Sequence, residues 1–439
     1  MVLQIRNVIT RLESLRSRTF LIWLFMISLA LRIGIAITFG EVNSPKLYEH
    51  GEIAENLYDG HGFAMHWPYT PADSLRLEVM KLPPAHEGAF LPPIHPYIVY
   101  FTYIIFGKGI TAIVALLVLN ILVSACIPLA TYVLVKELFS DHSARIVSCA
   151  ASIFLPAAMA VVTYSGSVYY QLLVLINILF FIKLYKSGRA IHYVCAAITT
   201  GLMILLRSEY LLLGIVLFGV SLALSAQPKN VINVVLFFII VVTIVGPWTY
   251  RNYQLFGTFV PVLSHPWYEI WRGNNEIATG TTTDENGRSI WVENSTFPKL
   301  IRSLDALPYD NKFEVRADSI FREDVVASWQ SKPMFYLGLA GKKIAYFFTI
   351  DVNNPSSRNI VYLLFSISGW GVIIYSLIKL AKSKTRDHFF FVVFFSTFLL
   401  YYIALTAATV MLPRYQIYVM VAMMPIMGII FLRGERYEN

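Results

Sequence analysis

The sequence predicts an all-α integral membrane protein, a bundle of about ten transmembrane helices with two large polar loops on one side. Three observations carry this. Charged residues are only 14% of the 439 and mean hydropathy is +0.60, whereas a soluble domain carries roughly 25% charged residues. Apolar stretches recur along the chain at or near the ~20 residues that cross roughly 30 Å of hydrocarbon. The basic residues gather in short connections that alternate onto one side, as the positive-inside rule requires.

Residues 1–18 form a basic head, with Arg6, Arg11, Arg16 and Arg18 against Glu13, which places the N-terminus in the cytoplasm. The apolar run that follows has no small-residue cleavage site, so it reads as a retained helix. Spans are expected at 19–39, 111–135, 144–163, 167–187, 190–206, 208–225, 230–249, 359–380, 388–409 and 414–433. Alternating these from a cytoplasmic start puts Lys136 and Arg145, the Lys183, Lys186, Arg189 cluster, Lys229, and the Lys379, Lys382, Lys384, Arg386 cluster inside. The Arg433, Arg436 tail also falls inside. The chain is expected to be one domain, 1–439.

Two apolar segments are treated differently. Residues 94–107 are short and Tyr-rich, and 334–350 carry Lys342 and Lys343 at mid-segment. A lysine at bilayer depth costs roughly 2.5–3.5 kcal/mol. Both segments are therefore expected as helices on the outer interface. They fall within two extracytoplasmic loops, 40–110 and 250–358. The first loop is acidic. In the second, 310–329 has helical period, with Phe313, Ala317, Phe321 and Val325 on one face.

Composition also excludes some classes. The basic residues form no surface run, so no nucleic-acid partner is expected. Cys126, Cys149 and Cys195 lie in apolar segments and read as small hydrophobes. The first-loop histidines His50, His61, His66, His86 and His95 fit no compact ligand spacing. No cofactor is required by the reading; a divalent metal is compatible with it but not indicated. Asn294-Ser295-Thr296 has the form of a glycosylation sequon, a short pattern that carries little weight alone.

The most informative stretch is residues 46–63, KLYEHGEIAENLYDGHGF. Ile53, Leu57 and Tyr58 share one helical face, while Glu49 and Glu52, three apart, share another. A short helix lying on the outer surface would hold these carboxylates over the bundle, and Gly60 and Gly62 would end it. The alternative is an ordinary solvated helix face.

That stretch, with LPPIHPYIVYFTYIIFG and GPWTYRNYQLFGTFVPV followed by GNN, resembles bacterial glycosyltransferases of the GT-C fold. These are the family-39-like group, related to protein O-mannosyltransferases and lipid A aminoarabinose transferases. The resemblance runs from about 20 to 415. It implies transfer of a sugar from a polyprenyl-phosphate donor to a lipid, glycan or protein acceptor, on the outer face of the bacterial inner membrane. It places the catalytic base on Glu49, with Glu52 second. Many relatives have Asp-Glu or Asp at the start of this loop, where this chain offers only Glu41 and Glu49.

The chemistry is coherent without the resemblance. A carboxylate within about 3 Å can take a proton from an acceptor hydroxyl as the sugar C1–phosphate bond breaks. The lipid phosphate needs charge neutralisation by Arg or Lys at the outer surface. One displacement with one base inverts the anomeric centre. Arg207, Arg251 and Arg414 end or open spans on the outer side, where orientation signals disfavour arginine; Arg251 and Arg414 rank first. Lys342 and Lys343 are further phosphate candidates. For all five the alternative is snorkelling to lipid headgroups. Tyr415 beside Arg414, His95, and Asn274 in the Gly273-Asn274-Asn275 turn complete the substrate-binding candidates. A transporter or flippase of a polyprenyl-linked sugar is the competing class. It would need ionisable or broken helices near the midplane, and the span centres read as nearly free of charge. A non-catalytic scaffold would leave the acidic first loop without a purpose.

Overall fold

The structure is a computed structural model that describes residues 16–66, 85–228, 230–285, 290, 297–352 and 359–432. Most of the basic head, the middle of the first loop, the Asn294 sequon and the Arg433, Arg436 tail lie outside these residues.

The bundle is built from α1 (Ser17–Phe39), α4 (Ile110–Leu138), α5 (Asp141–Ile153), α6 (Leu155–Ala158), α7 (Ser167–Ser187), α8 (Ala190–Leu206), α9 (Tyr210–Leu224), α10 (Val231–Phe256), α15 (Ile360–Ala381), α16 (Arg386–Ala408) and α17 (Pro413–Met423). The first loop contributes α2 (Tyr48–Tyr58), β1 (Ala64–Met65), β2 (His86–Glu87) and α3 (Ile94–Phe106). The second contributes α11 (Pro266–Arg272), α12 (Pro298–Asp305), α13 (Phe313–Ser331) and α14 (Pro333–Phe348). The only sheet among the described residues is the antiparallel pair β1–β2.

Seven of the described helices are long and apolar enough to cross a membrane: α1, α4, α7, α10, α15, α16, and α17 with its 3-10 continuation to Phe431. The protein is a multi-pass membrane protein. An eighth expected span is broken: α5 and the α6 segment to Val162 meet at 59°. Pro156 lacks an N–H and enters at the start of a new helix, after extended backbone at Phe154. The two remaining expected spans are α8 and α9. The 15 residues of α9 rise only about 22 Å.

Helix α1 shows how the spans are two-sided. Ile22, Trp23, Met26, Ile27, Ile33 and Ile37 are exposed, as a lipid-facing stripe, while Phe20, Leu24, Ser28, Arg32 and Ile35 are buried against the bundle. Arg32 corrects the expectation of charge-free span centres. It is 0% exposed. Its Nη1 donates to the Ser152 carbonyl at 2.7 Å, next to the α5–α6 break, and its Nε donates to Ser124 Oγ at 3.1 Å. It thus satisfies a carbonyl that the interrupted helix leaves without an intrahelical partner.

The two loops pack on each other at one end. Glu314 on α13 is fully buried and accepts from the Ala89 N–H at 2.8 Å and from the Ser264 hydroxyl at 2.5 Å. Asp318 Oδ1 accepts from the N–H groups of Trp267 and Tyr268 at 2.8 and 3.0 Å, holding the start of α11. The expected apolar face of α13 is the buried one: Phe313, Ala317, Phe321 and Val325 are all at most 3% exposed. At the other end the basic connections meet. There Lys136 and Arg145 pair with Asp141, Lys186 with Glu137, and Tyr185 with Asp387.

Candidate active site

The site forms where the loop end meets the bundle. Helix α2 buries Gly51, Ile53 and Ala54 and leaves Glu49 half-buried on the other side. Gly60 and Gly62 then turn the chain with φ of +84° and +81°, which only glycine adopts without strain. The residue before Glu49, Tyr48, has φ of 47°, and the one before Ser165, Tyr164, has φ of 32°. Among the described residues these are the two non-glycine residues with positive φ. Such strain in bulky residues persists where surrounding structure enforces it, commonly beside functional groups.

Two arginines lie within electrostatic reach of His50 on α2. Arg207, at the end of α8, donates to the Tyr418 hydroxyl at 2.9 Å and to the Ser165 carbonyl at 3.2 Å. Arg414, in the first turn of α17, lies over the Tyr415 ring at 5.8 Å. Its Nε is buried with no hydrogen-bond partner in the protein. Both arginines act electrostatically on His50, and both act on Tyr415. Arg207 also acts on His95.

Helix α11 supplies a wall that the sequence reading missed. Its Glu269 and Arg272 pair at 3.4 Å, with His265 at 4.0 Å from the same carboxylate. Burial pushes the Glu269 carboxyl up, but Arg272, His265 and Arg414 outweigh it and hold the pKa below the usual value. Glu49 acts on both Arg272 and Tyr268. Carboxylates from both loops, Glu49 and Glu269, therefore act on the half-buried Arg272 guanidinium, and the field of Arg414 reaches Glu269. The available signal was the Pro-started segment HPWYEIWR, with Glu and Arg three apart.

A cavity of about 470 Å³ opens beside Arg414. Its lining combines a cation and polar side chains, Arg414, Ser165, Ser167, Gln171 and Tyr418, with the apolar Leu155, Pro156, Met159, Phe365 and Ile417. The α5–α6 break creates part of that apolar wall.

The remaining candidates do not converge here. Glu52 accepts from the His66 N–H at 2.7 Å and lies 2.6 Å from its Nδ1. Arg251 donates to the Gly88 carbonyl and covers Trp248 at 5.0 Å, bracing the first loop. Lys342 is exposed. Lys343 does not snorkel; it is buried and donates to Asn274 Oδ1 at 2.9 Å. The Asn274 amide in turn donates to the carbonyls of Ile270 and Ala408 at 2.7 and 2.9 Å.

No family model matches the sequence, and no curated protein matches it. Solved structures do match. The oligosaccharyltransferase of Archaeoglobus fulgidus, tethered with an acceptor peptide containing the NVT sequon, superposes with a TM-score of 0.54 at 13% identity, over 94% of this chain and 49% of that one. AglB from the same organism, in complex with an inhibitory peptide and a dolichol-phosphate, gives 0.52 at 15% identity, over 93% and 49%. The chain has the GT-C fold. It spans about half the length of these oligosaccharyltransferases. ArnT from Cupriavidus metallidurans, bound to undecaprenyl phosphate, gives 0.41 at 12% identity over 92% and 77%, too low to bear on the fold. Within the GT-C fold of this chain, the strained Tyr48–Glu49 step and both arginines lie at the loop end of the bundle.

Proposed function

We propose that this chain is an inverting glycosyltransferase. It moves a sugar from a polyprenyl-phosphate donor to a lipid, glycan or protein acceptor at the outer face of the bacterial plasma membrane. The observation that carries the reading is the cavity at Arg414, whose lining brings a guanidinium and hydroxyls together with apolar side chains. A lipid phosphate has the same two-part chemistry. The GT-C fold and the order of the loops support the same reading.

In the proposed reaction Arg207 and Arg414 hold the donor phosphate. Glu49 takes the proton of the acceptor hydroxyl as its oxygen attacks C1 of the sugar. The C1–oxygen bond to phosphate breaks, and the electron pair leaves on the phosphate, where the arginines stabilise it. A single in-line displacement inverts C1. Tyr415 and Tyr418 position the arginines. Arg251 and Lys343 are not part of this set, because Gly88 and Asn274 hold them elsewhere, and Lys342 is exposed.

The test is to incubate the purified protein with radiolabelled polyprenyl-phosphate sugars and candidate acceptors and to identify the labelled product. Absence of transfer across a broad panel would sink the proposal. The transporter reading gains from the broken α5–α6 helix and the buried Arg32, both features of transport pathways. Movement of a polyprenyl-linked sugar across liposomes without glycosyl transfer would favour it.

A further inference from the structure

The His50–His95 pair is not used by the reaction above. His50 follows Glu49 on α2, and His95 is the second residue of α3. Their rings meet edge-on with centroids 4.4 Å apart, and Tyr169, on the first turn of α7, lies 5.9 Å from His95. The approach depends on Gly166, whose φ is +62° and whose absent Cβ would sit 3.3 Å from His95 Cβ.

Four polar atoms of this group are buried and unpaired within the protein. Both ring nitrogens of His95, Nδ1 of His50 and the Tyr169 hydroxyl lack hydrogen-bond partners. His95 is only 2% exposed. A native fold rarely leaves several adjacent buried polar groups unsatisfied. Burial, then His95 and the two arginines, push the His50 pKa far down; burial and Arg207 push that of His95 to about 3. Both imidazoles are therefore neutral, each offering one donor and one acceptor.

We propose that His50, His95 and Tyr169 form the subsite that holds the donor's sugar ring by its hydroxyls, and that the sugar is uncharged. This rests on the glycosyltransferase reading. The sugar is bonded to the phosphate and attacked beside Glu49, so it must lie between the arginines and Glu49. His50 adjoins Glu49 in the chain and lies in the field of both arginines. Neutral imidazoles and a phenol suit a polyol, whereas an ammonium-bearing sugar would meet Arg207 and Arg414 as like charges.

Full-length protein in lipid nanodiscs is titrated with undecaprenyl phosphate and with its glucosyl, galactosyl, arabinosyl and aminoarabinosyl phosphodiesters. The wild type binds at least one neutral ester more tightly than the bare lipid. Tyr169→Phe, which removes one oxygen and preserves packing, and His95→Asn each weaken that ester about tenfold, with bare-lipid binding changed less than about twofold. Equal weakening of both lipids, no weakening of the ester, or preference for the aminoarabinosyl ester overturns the subsite and leaves the carrier site standing. A wild type that binds none of these lipids overturns the carrier reading, and the subsite with it.

Discussion

The Lys343 ammonium donates to Asn274 Oδ1 across 2.9 Å and to the Thr409 carbonyl across 2.6 Å. This one contact joins α14, the residues just after α11 and the end of α16, a few residues before Arg414. Both the Glu269–Arg272 wall and the α17 arginine are thereby held to one buried lysine.

A pH dependence follows. Burial lowers the Lys343 pKa from 10.5 to about 7. Below about 7 the lysine is charged in both folded and unfolded chains. Between about 7 and 10.5 only the unfolded chain binds the proton, so stability rises with pH, by at most about 1.4 kcal/mol per unit. The melting temperature of the detergent-solubilised protein should rise from pH 7 to 9.5, and Lys343→Met should flatten that rise. A mutant profile parallel to the wild type would rule Lys343 out as its source.

Arg207 and Arg414 should behave as donor-binding groups. Arg207→Ala and Arg414→Ala are each expected to weaken binding of undecaprenyl phosphate by at least about tenfold, the loss of a charge-assisted contact. Arg251→Ala should leave that affinity nearly unchanged while lowering the melting temperature. Lipid titration of all three variants checks this; a larger binding loss in the Arg251 variant would reverse the assignment.

Glu52 and Glu49 should separate despite being three residues apart. Glu52 is occupied by His66, so Glu52→Gln is expected to keep transfer within about threefold of wild type, the range of a half-exposed, screened pair. Initial rates decide it. A Glu52 variant as inactive as one at Glu49 would make the acidic pair, not Glu49, the functional unit.

Gly88 packs so closely on Glu314 that an added Cβ would collide with the carboxylate. Gly88→Ala should displace Glu314 from Ala89 and Ser264 and cost about 1–3 kcal/mol. It should also expose the second loop to limited proteolysis. Unchanged stability would mean that Glu314 is not the link between the loops.

Much of this was legible in the chain. Hydropathy locates the spans because lipid selects strongly on every exposed residue, as the isoleucine stripe of α1 shows. The first-loop helix and its glycine turns are visible for the same local reasons. The pairing of Arg251 with Gly88 is not, since it joins residues 163 apart. A span-end arginine looks the same in sequence whether it faces a ligand or another loop. Lys343 misled in a similar way: the cost of a lysine at bilayer depth is real, but carbonyls at the end of α16 take up its charge in place of water. Arg32 stands plainly in LALRIGIA, and only the structure shows the helix break that receives it.

The most direct measurement concerns Glu49. Purified Glu49→Gln, inserted and melting as the wild type does, is assayed with a radiolabelled polyprenyl-phosphate sugar and an acceptor on which the wild type is active. Loss of the general base should lower transfer by about 100-fold or more, with donor affinity within about threefold. Transfer at the wild-type rate would contradict the mechanism.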